Sequence, residues 1–543
     1  MTIVDDLGRY LSSYQSANGG LCDSDGKEID PSYANAFFAL FCAQQYLKTE
    51  KKEWFSRSIN AIKFELETAV QYQTYPTIYR WEFKNYALLQ TYQLLRDVLP
   101  EDVAKRLRKR LLRMKNICSF QTNYMMMRVL NSRMRYSLFG MKKDLVRSSL
   151  ELEIVLLRQD NDGFFWDAAE SNSFQYHCYV LALLFQYYQL TSDSRVKSAF
   201  LRGVQCMLPF VDQQGDCLYL GRGQKQVFGY ASFIYALYGA ASLTDNQYYA
   251  DVAEKVFNYI LPTLRAKEIV VRAEKGIGWY VYNTSADYLA FAAVYLNIAF
   301  ELRKKKYANT SLVFDYTKSF DKFYSGLGIA LAREKNFLLC FGIAAGTSAE
   351  KPIIYHSYPA IFPTSGGSPA MDKNIFVGVK MEGVSQWRMF SDRTGLVLRA
   401  SYPDAVVEYS FQFGNEVTVI TTVYPRKSVE IIPLHFLSNG KVQTSVPVLR
   451  KRVVSTLDDQ YDLYAADSIV VDHEASWWLR FGNLKEKHHF PPFRSRSVQW
   501  RRLFWWSLLK PFFFGVVLLG KFLFDNSNFW QMLRYKKMRE KYY

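Results

Sequence analysis

The 543-residue sequence predicts a multidomain chain of α and β parts: an N-terminal (α/α) toroid, an antiparallel β-sandwich, and a basic, aromatic C-terminal tail. Three observations carry this reading. Residues 1–311 are one helix-length apolar segment after another; residues 312–490 switch to short alternating runs; residues 491–543 are strongly basic and apolar.

The helical part runs from "SYANAFFALFCAQQYLK" to "ADYLAFAAVYLNIAFELRKK", with apolar residues at helical spacing throughout. Its segments tend to alternate. "YALLQTYQLL" is apolar on nearly every side, whereas the next, "EDVAKRLRKRLLRMK", is charged on one face. Such alternation suits two concentric layers, the first kind buried and the second half-exposed. A helical solenoid would show a tighter fixed period than this sequence has. Gly/Asp-rich loops separate the pairs: "SANGGLCDSDGKEID", "RQDNDGFFWDAAESN" and "DQQGDCLYLGRGQ".

Beyond about residue 312, "NIFVGVKMEG", "TGLVLRASYP" and "AVVEYSFQFGNEVTVITTVYP" alternate with period two and are rich in β-branched residues. Short strands without helices between them predict an antiparallel sandwich. "KEIVVRAEKGIGWYVYN", 267–283, is read as a hairpin set between helices.

The formal charge of +17 points to a polyanionic partner, namely nucleic acid, an anionic membrane or an acidic polymer. Nucleic acid is the weakest of the three, since no helix-turn-helix, zinc-finger or RNP-type pattern occurs. From residue 494 to 541 eleven Lys and Arg stand against only Asp525 and Glu540, so much of the excess belongs to the tail. Within it, "LFWWSLLKPFFFGVVLLGKFLF", 503–524, is long enough to span a bilayer. Lys510 and Pro511 interrupt it and both flanks are basic, which predicts a broken helix lying on an anionic membrane surface through 494–541. Docking of this tail on the protein's own domains is the alternative.

Seven scattered cysteines without a CxxC pair suit buried thiols in a reducing compartment. The N-terminal "MTIVDDLGRYLSSYQ" lacks the pattern of a signal peptide. The expected location is cytoplasmic, peripheral on the inner face of the membrane. No metal-ligand spacing or cofactor motif is found, so neither group is expected.

Aromatic residues make up 17 % of the chain, a content that suits both packed cores and clefts that stack on sugar rings. "SFQYHCYVLALL", "GRGQKQVFGYASFIYAL" and "IIYHSYPAIFP", in that order, resemble the heparinase II/III-like polysaccharide lyases and their alginate-lyase relatives. The resemblance covers roughly residues 1–480 in architecture and these three segments in motif. It implies a catalytic set of His177, Tyr230 and His356, separated by 53 residues (177 to 230) and 179 residues (177 to 356).

The implied reaction is β-elimination on an anionic, uronate-containing polysaccharide. Its C5 proton is weakly acidic, so the neighbouring carboxylate must be neutralised and a base held within hydrogen-bond reach. His177 and Tyr230 would transfer protons, and His356 would neutralise or orient the substrate. Where the family has an asparagine beside the histidine, this sequence has Gln175 and Tyr176; Gln175 becomes the candidate amide for the carboxylate. Arg222 and Gln224, just before the Tyr230 helix, and Asn123, opening another apolar helix, complete the substrate-binding set.

Each residue also has a plain structural reading. His177 could be a core histidine, Tyr230 a packed ring, Arg222 a partner of Asp216, and Asn123 a helix cap. Two other functions stay open. A glycoside hydrolase would draw two carboxylates from Asp160, Asp162, Asp167, Glu170, Asp212 and Asp216. A non-catalytic polysaccharide-binding component of a membrane-bound assembly complex would need none.

Overall fold

The computed structural model describes residues 2–22, 33–68, 81–113, 121–167, 173–211, 215–218, 226–269 and 285–315, and the strands between 320 and 481. The expected hairpin at 267–283 lies outside the described residues from 270 onward, and the tail lies outside them entirely.

The described helices alternate between two layers. The outer layer is α1 (Ile3–Ser13), α3 (Lys52–Thr68), α5 (Glu101–Leu112), α7 (Lys142–Leu156), α9 (Ser194–Met207) and α11 (Gln247–Ala266). The inner layer is α2 (Ala34–Thr49), α4 (Trp81–Leu95), α6 (Thr122–Phe139), α8 (Phe174–Thr191), α10 (Val227–Thr244) and α12 (Ser285–Arg303). Each inner helix packs on the next, and α12 packs back on α2, so the ring closes and a solenoid is ruled out. The sequence alternation is this division of labour. Along α10 every residue from Val227 to Ala241 is buried, which is why it alone of the described helices has the length and apolarity of a membrane span. On α5 only Val103, Leu107 and Leu111 are buried, one face of an otherwise charged helix.

The two ends of the ring differ. Inner helices hand over to outer ones through tight turns of two to five residues, at 50–51, 96–100, 140–141, 192–193 and 245–246. Glu50, Gly140, Ser192 and Asp245 take left-handed backbone there, each N–H donating to a carbonyl of the last helical turn. The return connections, which lead into the N-termini of the inner helices, are nine to twenty residues long.

The long connections are stitched to the outer wall by a repeated device. In the first, the Gln15 side-chain amide donates to the carbonyls of Gly19 (3.2 Å) and of Arg57 on α3 (3.0 Å). In the fourth, Gln159 donates to Gly163 (2.9 Å) and to Ala199 on α9 (2.7 Å). The glycines are required because a β-carbon would lie 2.3 Å from the Asn60 carbonyl oxygen at Gly19 and 2.5 Å from that of Arg202 at Gly163, both at positive φ.

Between α3 and α7, buried ion pairs tie helices both within the inner layer and across the two layers. Arg128 on α6 meets Glu82 on α4 (3.6 Å) and Glu151 on α7 (3.1 Å), and Lys84 on α4 meets Glu65 on α3 (3.2 Å). Burial pushes the Glu151 carboxyl up, but Arg128 and Arg147 outweigh it and hold the group below the usual glutamate range.

Among the described residues, the second half of the chain folds into antiparallel sheets of eight, six and two strands. The six-stranded sheet contains a meander from Gln386–Ser391 to Val417–Pro425, with Ala475–Phe481 returning beside its last strand. The eight-stranded sheet opens with β1 (Phe320–Tyr324) and β2 (Ile329–Glu334), paired so that Lys322 faces Leu331. Lys322 and Tyr324 therefore share one face of the hairpin with Leu331. That face meets the long-loop end of the toroid. Lys322 pairs with Asp162 (3.0 Å), the Tyr324 ring packs on Phe210 (5.0 Å between centroids), and Leu331 joins the helical core.

The glycine stitch generates a first expectation. Gly163→Ala meets both a forbidden backbone region and a carbonyl oxygen, whereas Gly140→Ala, also at positive φ, has open space around its new carbon. Thermal or urea unfolding should show a loss of about 1–2 kcal/mol for Gly140→Ala and a clearly larger one for Gly163→Ala. Equal losses would mean that the connection moves freely off α9.

Candidate active site

At the long-loop end each inner helix carries an aromatic residue at its head: Tyr33 before α2, Phe83 on α4, Tyr124 on α6, Tyr176 on α8, Phe228 on α10 and Tyr288 on α12. They meet in two runs. Tyr33 stacks on Phe83 at 4.5 Å, and Phe83 meets Tyr124 edge-on at 5.6 Å. Tyr176 packs on Phe228 at 6.0 Å, and Phe228 stacks on Tyr288 at 5.0 Å.

One turn deeper, Phe83 reaches Tyr179 (5.8 Å) and Tyr179 reaches Phe291 (5.0 Å). These join helices that are not neighbours in the ring, so the contacts cross the axis. Deeper still, Tyr295 donates to the Tyr86 hydroxyl (3.1 Å), which donates to the Gln186 side-chain carbonyl (3.0 Å). Burial pushes the Tyr86 hydroxyl up to about 12. The ring is thus filled along its axis, and the end above these rings is the candidate mouth. Tyr124, Tyr176 and Trp81 are its half-exposed rings.

His177 does not line this mouth. Its ring is 1 % exposed and stacks on Phe164 at 4.4 Å. The Phe165 N–H donates to its Nδ1 (3.0 Å), and its Nε2 donates to the Gly203 carbonyl on α9 (3.1 Å). Both nitrogens are used, and the Phe165 donor fixes the neutral Nε2–H tautomer. Burial depresses its pKa to about 3, with the Gly203 carbonyl opposing. The ring closes the fourth connection onto α8 and α9, which corrects its expected role as a proton-transfer group.

Tyr230 is corrected for the same reason. It is fully buried, and its hydroxyl donates to Asp216 Oδ1 at 2.6 Å. Tyr259 on α11 donates to the other oxygen at 2.9 Å, and the Leu218 N–H also donates to Asp216. Burial pushes the Tyr230 hydroxyl well above its usual range, and the Asp216 charge adds to this, the opposite of what an acid–base tyrosine needs. The constellation anchors the fifth connection between α10 and α11. His356, Arg222 and Gln224 lie outside the described residues.

Asn123 is buried at the head of α6, where its side-chain oxygen accepts from the Tyr124 N–H (2.9 Å), a local backbone role. Gln175 stands apart. It is buried at the head of α8, against Gly229 of α10, and neither end of its amide has a hydrogen-bond partner among the described residues. The same holds for Gln226, which caps α10 one turn before Gly229. Two unsatisfied buried amides at the seam of adjacent helix heads call for a function or a bound group.

The loop carboxylates of the hydrolase reading are mostly engaged. Asp162 pairs with Lys322, and Asp160 accepts from the Phe164 N–H (2.8 Å), its carboxyl raised by burial to about 6. Asp167 is buried with the guanidinium of Arg158, which burial lowers to about 10 while Asp167 raises it. Arg158 also donates to the Thr122 hydroxyl (3.1 Å) at the head of α6. Glu170 and Asp212 lie outside the described residues. The helix-head aromatics are the functional candidates that the sequence reading passed over.

The corrected roles are testable by stability. The unfolded His177 takes up a proton below pH 6.5, whereas the folded one refuses it until about pH 3. Stability should therefore fall as pH drops through this window, by about 1.4 kcal/mol per unit. His177→Gln should melt lower at pH 8 and lose about 2 kcal/mol less than the parent between pH 6.5 and 5. Tyr230→Phe should cost about 1–3 kcal/mol of stability while leaving any glycan binding unchanged. Loss of function without loss of stability would restore either residue to the catalytic set.

No protein-family model matches the sequence, and no curated protein matches it. Solved structures that match include a xanthan lyase, an α-1,6-mannanase and a cellobiose 2-epimerase. A Paenibacillus xanthan lyase aligns over 92 % of this chain and 58 % of its own length, at 11 % identity and a TM-score of 0.54. The GH76A α-1,6-mannanase from Salegentibacter sp. HEL1_6 covers 55 % of this chain and 98 % of its own, with 13 % identity and a TM-score of 0.42. Cellobiose 2-epimerase from Bacillus thermoamylovorans B4167 covers 54 % and 98 %, with 12 % identity and a TM-score of 0.41. The xanthan lyase likeness, extending through helices and sheets alike, is a likeness of fold.

Proposed function

We propose that the chain is a carbohydrate-active enzyme that takes a polysaccharide into the aromatic mouth of its toroid. The observation that carries this is the aromatic residue at the head of every inner helix, with Tyr124 and Tyr176 half-exposed above the stacked floor. Flat C–H faces of pyranose rings pack on such rings, and neighbouring amides read their hydroxyls. At that level Gln175 and Gln226 hold buried amides that have no hydrogen-bond partner among the described residues.

Within this class we favour a polysaccharide lyase-like activity, β-elimination on a uronate-containing chain. A fold shared with a xanthan lyase over 92 % of the chain and a net charge of +17 support it. A closed sandwich made by the two larger sheets, roofing the mouth, belongs to the same proposal. With His177 and Tyr230 assigned to the scaffold, the proton transfers fall to His356 and to the hydroxyls of Tyr124 or Tyr176. Arg222, Gln224 and Gln175 would meet the uronate carboxylate.

A second reading, glycan binding without turnover, is favoured by the same burial of His177 and Tyr230. Incubation with uronate-containing and with neutral polysaccharides separates the readings. A lyase yields products with the ultraviolet absorbance of an unsaturated uronate, a hydrolase yields reducing ends without it, and a binder yields neither. Tyr124→Ala and Tyr176→Ala should each weaken retention of the bound polysaccharide severalfold, up to about tenfold, from the lost ring contact. Unchanged retention in both variants would remove the mouth from the proposal.

A further inference from the structure

The outer wall formed by α5, the end of α6 and α7 differs from the rest of the described outer layer. On α5, Lys105, Arg106, Arg108 and Lys109 are exposed, and Arg113 follows at its end. Lys142 is exposed at the start of α7. Three contacts draw these helices to one stretch of α6. Arg108 lies over the Phe139 ring (5.6 Å), and Arg135 donates to the Leu112 carbonyl (3.1 Å) while pairing with Asp144 of α7 (3.4 Å). Arg106 has a distant partner in Glu67 (4.0 Å), but Lys105, Lys109, Arg113 and Lys142 have no carboxylate partner among the described residues.

The next outer helix, α7, exposes aliphatic side chains. Val146 is 53 % exposed, Leu150, one turn on, is 56 % exposed, and Leu157 just past the helix is 64 % exposed. Most of the large exposed hydrophobics among the described residues are scattered singly, but these follow one helix. An acidic glycan or nucleic acid would engage the cations and leave the aliphatic ridge in water. A bilayer with anionic headgroups satisfies both, taking the cations at the headgroups and the aliphatics at the acyl boundary.

We propose that this wall is a docking surface for an anionic lipid bilayer. Lys142 and Val146 lie toward the tight-turn end of the ring, and Lys109, Arg113 and Leu157 toward the long-loop end, so the surface runs along the height of the outer wall. The surface is separate from the mouth and does not depend on which polysaccharide, if any, is turned over.

The test is co-sedimentation of the full chain with phosphatidylcholine vesicles, with and without phosphatidylglycerol. The parent should require phosphatidylglycerol. Combined Lys105→Gln, Lys109→Gln and Arg113→Gln should weaken binding on the order of 100-fold at low salt, about fivefold for each charge removed. Combined Val146→Ser and Leu150→Ser should weaken it severalfold, including at salt that screens the charges. All five positions are at the surface, so unchanged melting temperatures verify folding. Three results overturn the proposal: no sedimentation of the parent, wall variants that sediment like the parent, or a charge variant that loses retention on an acidic polysaccharide while the Val146/Leu150 variant binds vesicles normally.

Discussion

Six helices arranged around a common axis leave a space that small aliphatic side chains cannot fill, and the rest of this fold follows from how it is filled. Phe83, Tyr179, Phe291, Tyr86 and Tyr295 reach across the axis from α4, α8 and α12. Large rings suit this task because each buries much area from a single position and packs well at oblique angles. Their presence makes the toroid a solid ring with a floor.

Filling the axis with tyrosines brings hydroxyls into the core, and each needs a partner. Gln186 accepts from Tyr86, which accepts from Tyr295, and Gln189 accepts from Tyr235 (3.1 Å). The described core from α8 to α12 is therefore held by rings, hydroxyls and amides, whereas α3 to α7 use buried ion pairs within and between the layers. Removing one member of such a pair strands a charge, while removing a tyrosine hydroxyl strands an amide, a smaller penalty. The two halves of the ring should therefore differ in sensitivity to single substitutions, although both are equally buried.

The architecture was legible because burial writes itself into composition along a helix. "VFGYASFIYALYGAAS" has no polar face, so it must be an inner helix, and "EDVAKRLRKRLLRMK" has one, so it must be outer. The three Gly/Asp loops were equally plain, and each has a positive-φ glycine against the carbonyl of an outer helix. The roles of His177 and Tyr230 were not legible. A histidine four residues into an apolar helix looks the same whether its nitrogens face a cleft or a backbone N–H and a carbonyl. The deciding partners, Phe165 and Gly203, are backbone groups that carry no residue signature. The helix-head aromatics were readable in principle. Tyr33, Phe83, Tyr124, Tyr176, Phe228 and Tyr288 all open their apolar segments, a recurrence that appears only when the segments are aligned by their starts.

His177 nevertheless bears on function through the scaffold. Its Nδ1 holds Phe165, in the connection that carries Asp162 to the Lys322 pair on β1. The same connection contains Asp167, whose carbonyl accepts from the Thr122 N–H at the head of α6 (3.0 Å). One buried ring thus fixes a segment that docks the first sheet at one end and supports the mouth at the other. A catalytic histidine must change protonation during turnover; this one can serve the site only by never doing so. That requirement explains why it sits where burial has removed its basicity near neutral pH, and why a residue so like a catalyst in sequence is a structural one in the fold.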